Sequence, residues 1–142
     1  MGSNSFTYQI IDHTADLGII VKGTDEKNLF IRAAQAMTDL MVKGDISKKI
    51  IIKDVLVEGE DFPDLMVRWL GEILYLFDGE NLILNSIKIK SISPTKLKST
   101  LTLSSFDPEH HQVKREIKAV TYHQISVDKV NDGWQARVIF DI

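Results

Sequence analysis

The residues best suited to chemistry stand near the two ends of the chain. Asp12 and Asp16 bracket a short polar run, Asp12-His13-Thr14-Ala15-Asp16, set between apolar segments, and Asp141 and the main-chain carboxylate of Ile142 close the sequence. Carboxylate oxygens are hard donors, and several brought together repel one another unless a cation joins them. Such a set suits calcium or magnesium. A zinc site would call for more His or for Cys, and the chain has no cysteine. Donor type does not separate calcium from magnesium. The polar run also has a second reading, an Asx-type turn whose side chains bond their own backbone. The far end argues for the cation: Trp134 to Ile142 has the pattern of a strong strand, and an ordered strand end fixes a carboxylate in space where a frayed tail would not.

A second group of ionisable residues lies in Glu116-Ile117-Lys118-Ala119-Val120-Thr121-Tyr122-His123. Read as a strand, this segment puts Glu116, Lys118, Val120 and Tyr122 on one face. Lys118 is then either a solvated surface lysine paired with a carboxylate or a cation near the acidic site, able to hold an anion or a phosphate. His13 and His123 are candidates for metal ligation or proton transfer, although a lone histidine is more often a hydrogen-bonded structural residue. Lys88, Lys90, Lys96 and Lys98 would give one hairpin a basic face; without interleaved aromatics they read as ordinary solvated lysines. There is no Gly-rich phosphate loop and no G-x-S-x-G elbow, which leaves little for an independent nucleotide-using enzyme. One enzymatic alternative stays open, a metal-dependent hydrolase of phosphate esters built on the same carboxylates and His13.

The elements that must position these groups follow from hydrophobic period. Phe6 to Ile11 and Leu17 to Lys22 read as β-rich pieces on either side of the polar run. Thr24 can cap a helix with Asp25 and Glu26 in its first turn, and Leu29, Phe30, Ala33, Ala34, Met37, Leu40 and Met41 recur at helical spacing. Ile50 to Val57 is a β-branched strand. Pro63 suits the start of a second helix, whose stripe of Leu65, Met66, Trp69, Leu70, Ile73, Leu76 and Phe77 ends near Gly79. From Leu82 the period is two, with a turn at Ser93-Pro94, a return strand through Leu97, Leu101 and Leu103, and a loop over Asp107 to Lys114. Glu116 to Val130 and Trp134 to Ile142 are two further strands around Asn131-Asp132-Gly133. The expected fold is α+β, two helices packed on a mostly antiparallel β-sheet system, as a single domain over residues 1–142. At 142 residues, 44% hydrophobic and 26% charged, the chain has the size of one domain, and its formal net charge of -3 provides no field for holding a polyanion. RNA contact would be local or indirect. The opening residues lack the basic and apolar regions of a signal peptide and no apolar run is long enough to span a bilayer, so the expected location is the cytoplasm, away from membranes.

Four collinear blocks resemble the archease family: Asp12-His13-Thr14-Ala15-Asp16, Trp69-Leu70-Gly71-Glu72-Ile73-Leu74-Tyr75, Glu116-Ile117-Lys118-Ala119-Val120-Thr121-Tyr122-His123, and Val138-Ile139-Phe140-Asp141-Ile142. Each alone is weak; the ordered set brackets nearly the whole chain. The resemblance implies a compact archease-like domain acting as a protein cofactor of the RtcB-type RNA ligase in tRNA splicing and RNA repair. It would promote guanylylation of the ligase, allow multiple turnover and broaden nucleotide use, with no catalytic residue of its own. A second implied role is chaperone-like modulation of a tRNA cytosine methyltransferase. Carried over position by position, the family's metal site falls on Asp16, Asp141 and the Ile142 carboxylate, and Lys118 matches the functional lysine. Asp12 and His13 belong to the first motif as neighbours of the ligands. His111, or His110 one register away, matches a histidine preceding the Glu-x-Lys-Ala block.

Overall fold

The computed structural model describes residues 8–12, 16–44 and 49–142, with Asp12 described by its backbone alone. Strand β1 (Gln9–Asp12) pairs antiparallel with β2 (Asp16–Gly23), which leads into helix α1 (Glu26–Met41). The cap of α1 is Asp25 rather than Thr24: Asp25 accepts the Asn28 N–H at 2.8 Å, and Asn28 Oδ1 in turn accepts the Thr24 N–H at 2.8 Å. A carboxylate at this position outcompetes the hydroxyl because it also meets the positive end of the helix dipole. Helix α2 (Phe62–Glu80) starts at an Asp61 cap with Pro63 in its first turn, and Asn81 stops it in the left-handed region at φ 57. The helices are tied together where the Trp69 indole N–H donates to the Phe30 carbonyl at 2.9 Å, with both residues fully buried.

Between and after the helices come β3 (Val42–Gly44), β4 (Ile50–Glu58), β5 (Leu82–Ser93), β6 (Lys96–Ser105), β7 (His111–Val113), β8 (Ala119–Val120), β9 (Ser126–Val130) and β10 (Gly133–Asp141). They make a β4-β6-β5 sheet, a small β3-β7 ladder, and a larger sheet in the order β1-β2-β10-β8 in which β9 also pairs with β10. Every pairing among the described strands is antiparallel. Period-two burial does the folding work: Leu17, Ile19 and Val21 with Ala136, Val138 and Phe140 from one sheet, and Leu97, Leu101 and Leu103 from the other, join the apolar faces of both helices in one continuous core. The α+β expectation therefore holds. No helix among the described residues is long and apolar enough to cross a membrane.

The expected strand from Glu116 to Val130 is corrected to two short strands. Both ends pair with β10: Val120 lies opposite Phe140, and Ser126 lies opposite Arg137. Residues 121–125 thus face only Val138 and Ile139, and the surplus loops out through Gln124 at φ 52. Upstream, residues 114–118 form a strap outside any ladder: the Lys114 N–H binds the Met41 carbonyl at 2.7 Å, and the Lys118 N–H alone returns to β10. The shared-face reading of Glu116, Lys118, Val120 and Tyr122 falls with the continuous strand.

Candidate metal centre

Strand β10 carries the site because it is paired on both sides at its end. Asp141 is the register partner of Asp16 across β2 and of Ala119 across β8. Directly opposed residues of an antiparallel pair share a face, with Cβ atoms roughly 4.5–5.5 Å apart. The core face is taken by the flanking Leu17 and Phe140, so the two carboxylates stand on the outer face, Asp16 partly buried and Asp141 exposed. Next to them on that face Ile139 is nonetheless buried. A side chain added at Gly18 would lie 2.7 Å from Ile139 Cδ1 and 3.4 Å from Ile11 Cβ, so glycine is what lets Ile139 lie flat across the sheet. The acidic pair therefore rests beside a packed apolar platform rather than on a frayed end.

The chemistry of this donor set fits a hard divalent cation. Among the described residues, neither carboxylate and no part of the Lys118 ammonium takes part in a hydrogen bond or ion pair. Two like charges held in register without a described counter-charge are destabilising by themselves and favourable around an ion. All-oxygen donors match calcium or magnesium. Ile142, one residue beyond Asp141, is exposed at the same end of β10.

Lys118 arrives on the strap. Its backbone N–H donates to the Asp141 carbonyl at 2.7 Å, which sets the lysine one residue from the acidic register. The strap is fastened at both ends. Helix α1 has no basic residue in its last turn, and the strap supplies donors there: Lys114 Nζ reaches the Asp39 carbonyl at 2.9 Å and Lys114 N–H the Met41 carbonyl at 2.7 Å. Ile117 is buried in the core. Beyond β8, Thr121 donates to the Ile139 carbonyl through its N–H at 3.0 Å and its hydroxyl at 2.8 Å. Tyr122 then donates its hydroxyl to Asp64 Oδ1 at 2.6 Å. That hydrogen bond, with the Glu60 N–H, holds the Asp64 carboxyl below the usual range, and it raises the Tyr122 phenol.

The remaining candidates fall as follows. Asp12 has its backbone opposite Leu17, beside Asp16, while its side chain and all of His13 lie outside the described residues. His111 sits in the β3-β7 ladder opposite Gly44, a different strand pair from the acidic one. It is buried, its Nδ1 accepts the Asp107 N–H at 2.8 Å, and its ring lies 5.6 Å from that of Phe106. These contacts serve the loop. His110 is exposed and 2.9 Å from Asp107 Oδ2, and His123 is exposed. Lys88, Lys90, Lys96 and Lys98 are solvated on the β5-β6 hairpin, with Lys90 3.8 Å from Asp54.

Two groupings escaped the sequence reading. Asp107, Glu109 and His110 bring potential ligand atoms within 4.8 Å of one another. The loop ties two of them together: Asp107 accepts the Glu109 N–H at 3.0 Å and pairs with His110, and both interactions hold its carboxyl below the usual range. The Tyr122–Asp64 contact joins residues 58 apart in sequence, so no local pattern could signal it.

The chain matches the Archease protein family (MTH1598/TM1083) over residues 8–142. It is 33% identical over 147 residues to the protein archease of Methanosarcina acetivorans, covering 100% of both chains, and 38% identical over 136 residues to that of Pyrococcus furiosus, covering 92% of this chain and 95% of the other. The solution structure of protein 1598 of Methanobacterium thermoautotrophicum superposes with a TM-score of 0.71 at 29% identity, covering 95% of this chain and 98% of that one. The crystal structure of a Thermotoga maritima archease, described as a possible chaperone, shares the fold with a TM-score of 0.61 at 20% identity, covering 98% and 100%. A match over this span at this identity makes the chain a member of the archease family.

Proposed function

We propose that this protein activates an RNA ligase of the RtcB type, promoting its guanylylation and multiple turnover and broadening its nucleotide use. The observation that carries the reading is the in-register pair Asp16–Asp141 with the Lys118 amide bonded to the Asp141 carbonyl, which gathers the acidic and basic groups at one strand end. Asp16, Asp141 and the Ile142 carboxylate would hold calcium or magnesium, and the bound ion supplies positive charge for orienting a phosphate. Lys118, exposed and without an ion-pair partner among the described residues, offers a second positive group to charge that develops during nucleotidyl transfer in the ligase. The catalytic centre belongs to the ligase, and the chain acts as a cofactor in the cytoplasm. The formal net charge of -3 leaves RNA contact local or indirect.

The test is multiple-turnover RNA ligation with the cognate ligase, beside calorimetric titration of calcium and magnesium. Asp16→Ala and Asp141→Ala should abolish both metal binding and stimulation; Lys118→Ala should keep metal binding and lose stimulation by at least about tenfold, roughly 1.4 kcal/mol of transition-state stabilisation. Full stimulation by all three variants would end the assignment. Phosphate-ester hydrolysis by the purified protein, lost with Asp16→Ala, would favour the hydrolase instead.

A second reading, a chaperone-like modulator of a tRNA cytosine methyltransferase, is favoured by one feature. Ile50, Ile52 and Leu56 stand exposed along β4, at 46%, 68% and 55%, an apolar row suited to a protein partner. Pull-down against the ligase and the methyltransferase separates the two.

A further inference from the structure

The strap that carries Lys118 is held to β10 by very little regular structure. Ala119 and Val120 pair with β10, the flanking Lys118 and Thr121 amides add one bond each to its Asp141 and Ile139 carbonyls, and beyond them the chain leaves the sheet through the Gln124 turn. A ladder so short does not hold an edge segment by itself. Two residues beyond β8 stands Tyr122, which is 56% exposed and contributes little burial, yet whose hydroxyl reaches Asp64 at 2.6 Å. Asp64 is a prepared acceptor. Its Oδ2 takes the Glu60 N–H at 2.8 Å and the Arg68 Nε–H at 2.9 Å, while its own N–H donates to the Asp61 cap at 2.9 Å. The carboxylate is thus fixed by the first turn of α2 before Tyr122 arrives, and Oδ1 is left aimed at the strap.

We propose that Tyr122 is a positioning residue: its hydroxyl, clamped on Asp64 of α2, holds the Lys118–Thr121 stretch against β10 and so keeps Lys118 beside the Asp16–Asp141 pair. The clamp gives a half-exposed tyrosine just past a two-residue strand a structural use. It also links the first turn of α2 to the metal centre without any residue of α2 touching that centre. The consequence for ligase activation rests on the function proposed above; the clamp itself does not.

Two experiments decide the matter. The first is amide hydrogen exchange on the full chain. In Tyr122→Phe, which removes one oxygen and leaves the ring, the Lys118 and Thr121 amides should exchange roughly tenfold faster, the scale of one charge-assisted hydrogen bond, while the Leu103 amide of β6 keeps its wild-type rate. Unchanged exchange at Lys118 and Thr121, or an equal rise at Leu103, would overturn the clamp. The second is a double-mutant cycle on ligase stimulation. Tyr122→Phe should lower stimulation severalfold in the wild-type background and have no further effect in the Lys118→Ala background, because it acts through the lysine. Additive losses would overturn the positioning role. A wild-type protein that fails to stimulate the ligase sinks the function reading alone, and the exchange experiment still decides the clamp.

Discussion

At the scale of single residues, the acidic pair and the clamp differ in how their charges are used. Asp16 and Asp141 are held by backbone register and leave their oxygens unspent, whereas Asp64 accepts the Tyr122 hydroxyl, the Glu60 N–H and the Arg68 Nε–H at once. This is the difference between a carboxylate available to an ion and one committed to structure. The committed one has a pH signature. Asp64 titrates below its ordinary range in the folded protein, chiefly through Tyr122, so its contribution to stability is complete above its unfolded pKa and is lost as pH falls through the lower folded value. Tyr122 is shifted the other way by the same bond, so its contribution is complete below its unfolded pKa and is lost only as pH rises through the raised folded value. The two windows overlap across the neutral range. The stability difference between wild type and Tyr122→Phe, from urea denaturation, should accordingly be flat between about pH 5 and 9 and shrink below about pH 4, bounded by the ordinary Asp and Tyr values near 4 and 10. Because Tyr122 is exposed to solvent, 1 M salt should reduce the difference. A difference that grows on acidification would contradict the assigned partner.

At the scale of elements, the strap is where sequence and structure part company. Both helices are legible from period, since Leu29 to Met41 and Leu65 to Leu76 bury the faces their spacing marks, while the cap of α1 falls on Asp25, one residue past the expected Thr24. The β5-β6 hairpin and β10 are legible for the same reason, and so is the closing hairpin, where Gly133 takes φ 145 as no other residue readily would. Glu116 to Val130 misleads because its β-branched composition records contact with β10 at both ends, while the loop between is imposed by the partner strand having fewer residues to offer. Of the candidate site, the identities of Asp16, Asp141 and Lys118 were visible in the chain; the register that unites the two aspartates comes from a pairing between the first sheet strands and the last, which no local pattern contains. The same division yields a prediction. Ile117 anchors the strap in the core and is 1% exposed, so Ile117→Ala should cost about 2–5 kcal/mol in urea denaturation. Since β2 and β10 pair without it, metal affinity should stay within about twofold, near the limit of a 0.5 kcal/mol change, while ligase stimulation falls. Loss of metal affinity on a par with Asp16→Ala would mean that the strap builds the ion site and does not merely flank it.

At the scale of the whole molecule, the fold brings its two sequence extremes to one place. Strand β10 closes the larger sheet by inserting between β2 and β8, so the start of β2 and the end of β10 are neighbours although nearly the entire core lies between them in sequence. An ion held there joins the first sheet strands to the last. An ion bound by this arrangement would bind the native state alone, because the unfolded chain does not keep Asp16 and Asp141 together, and would stabilise the domain by mass action. At a free concentration of 100 times the dissociation constant the gain is about 2.7 kcal/mol, which for a chain of this size raises the Tm by several degrees. Asp16→Asn should remove that gain and slightly raise the Tm in chelator, since it relieves one of two facing like charges. The Ile142 carboxylate is tested separately by appending one glycine. The extension converts that carboxylate into an amide carbonyl, which retains an oxygen and loses the charge, so the calcium-dependent rise in Tm should shrink although Asp16 and Asp141 are intact. A full rise in the extended protein would remove Ile142 from the ligand set and leave the two aspartates as its centre; a full rise in Asp16→Asn would move the ion away from this strand end altogether.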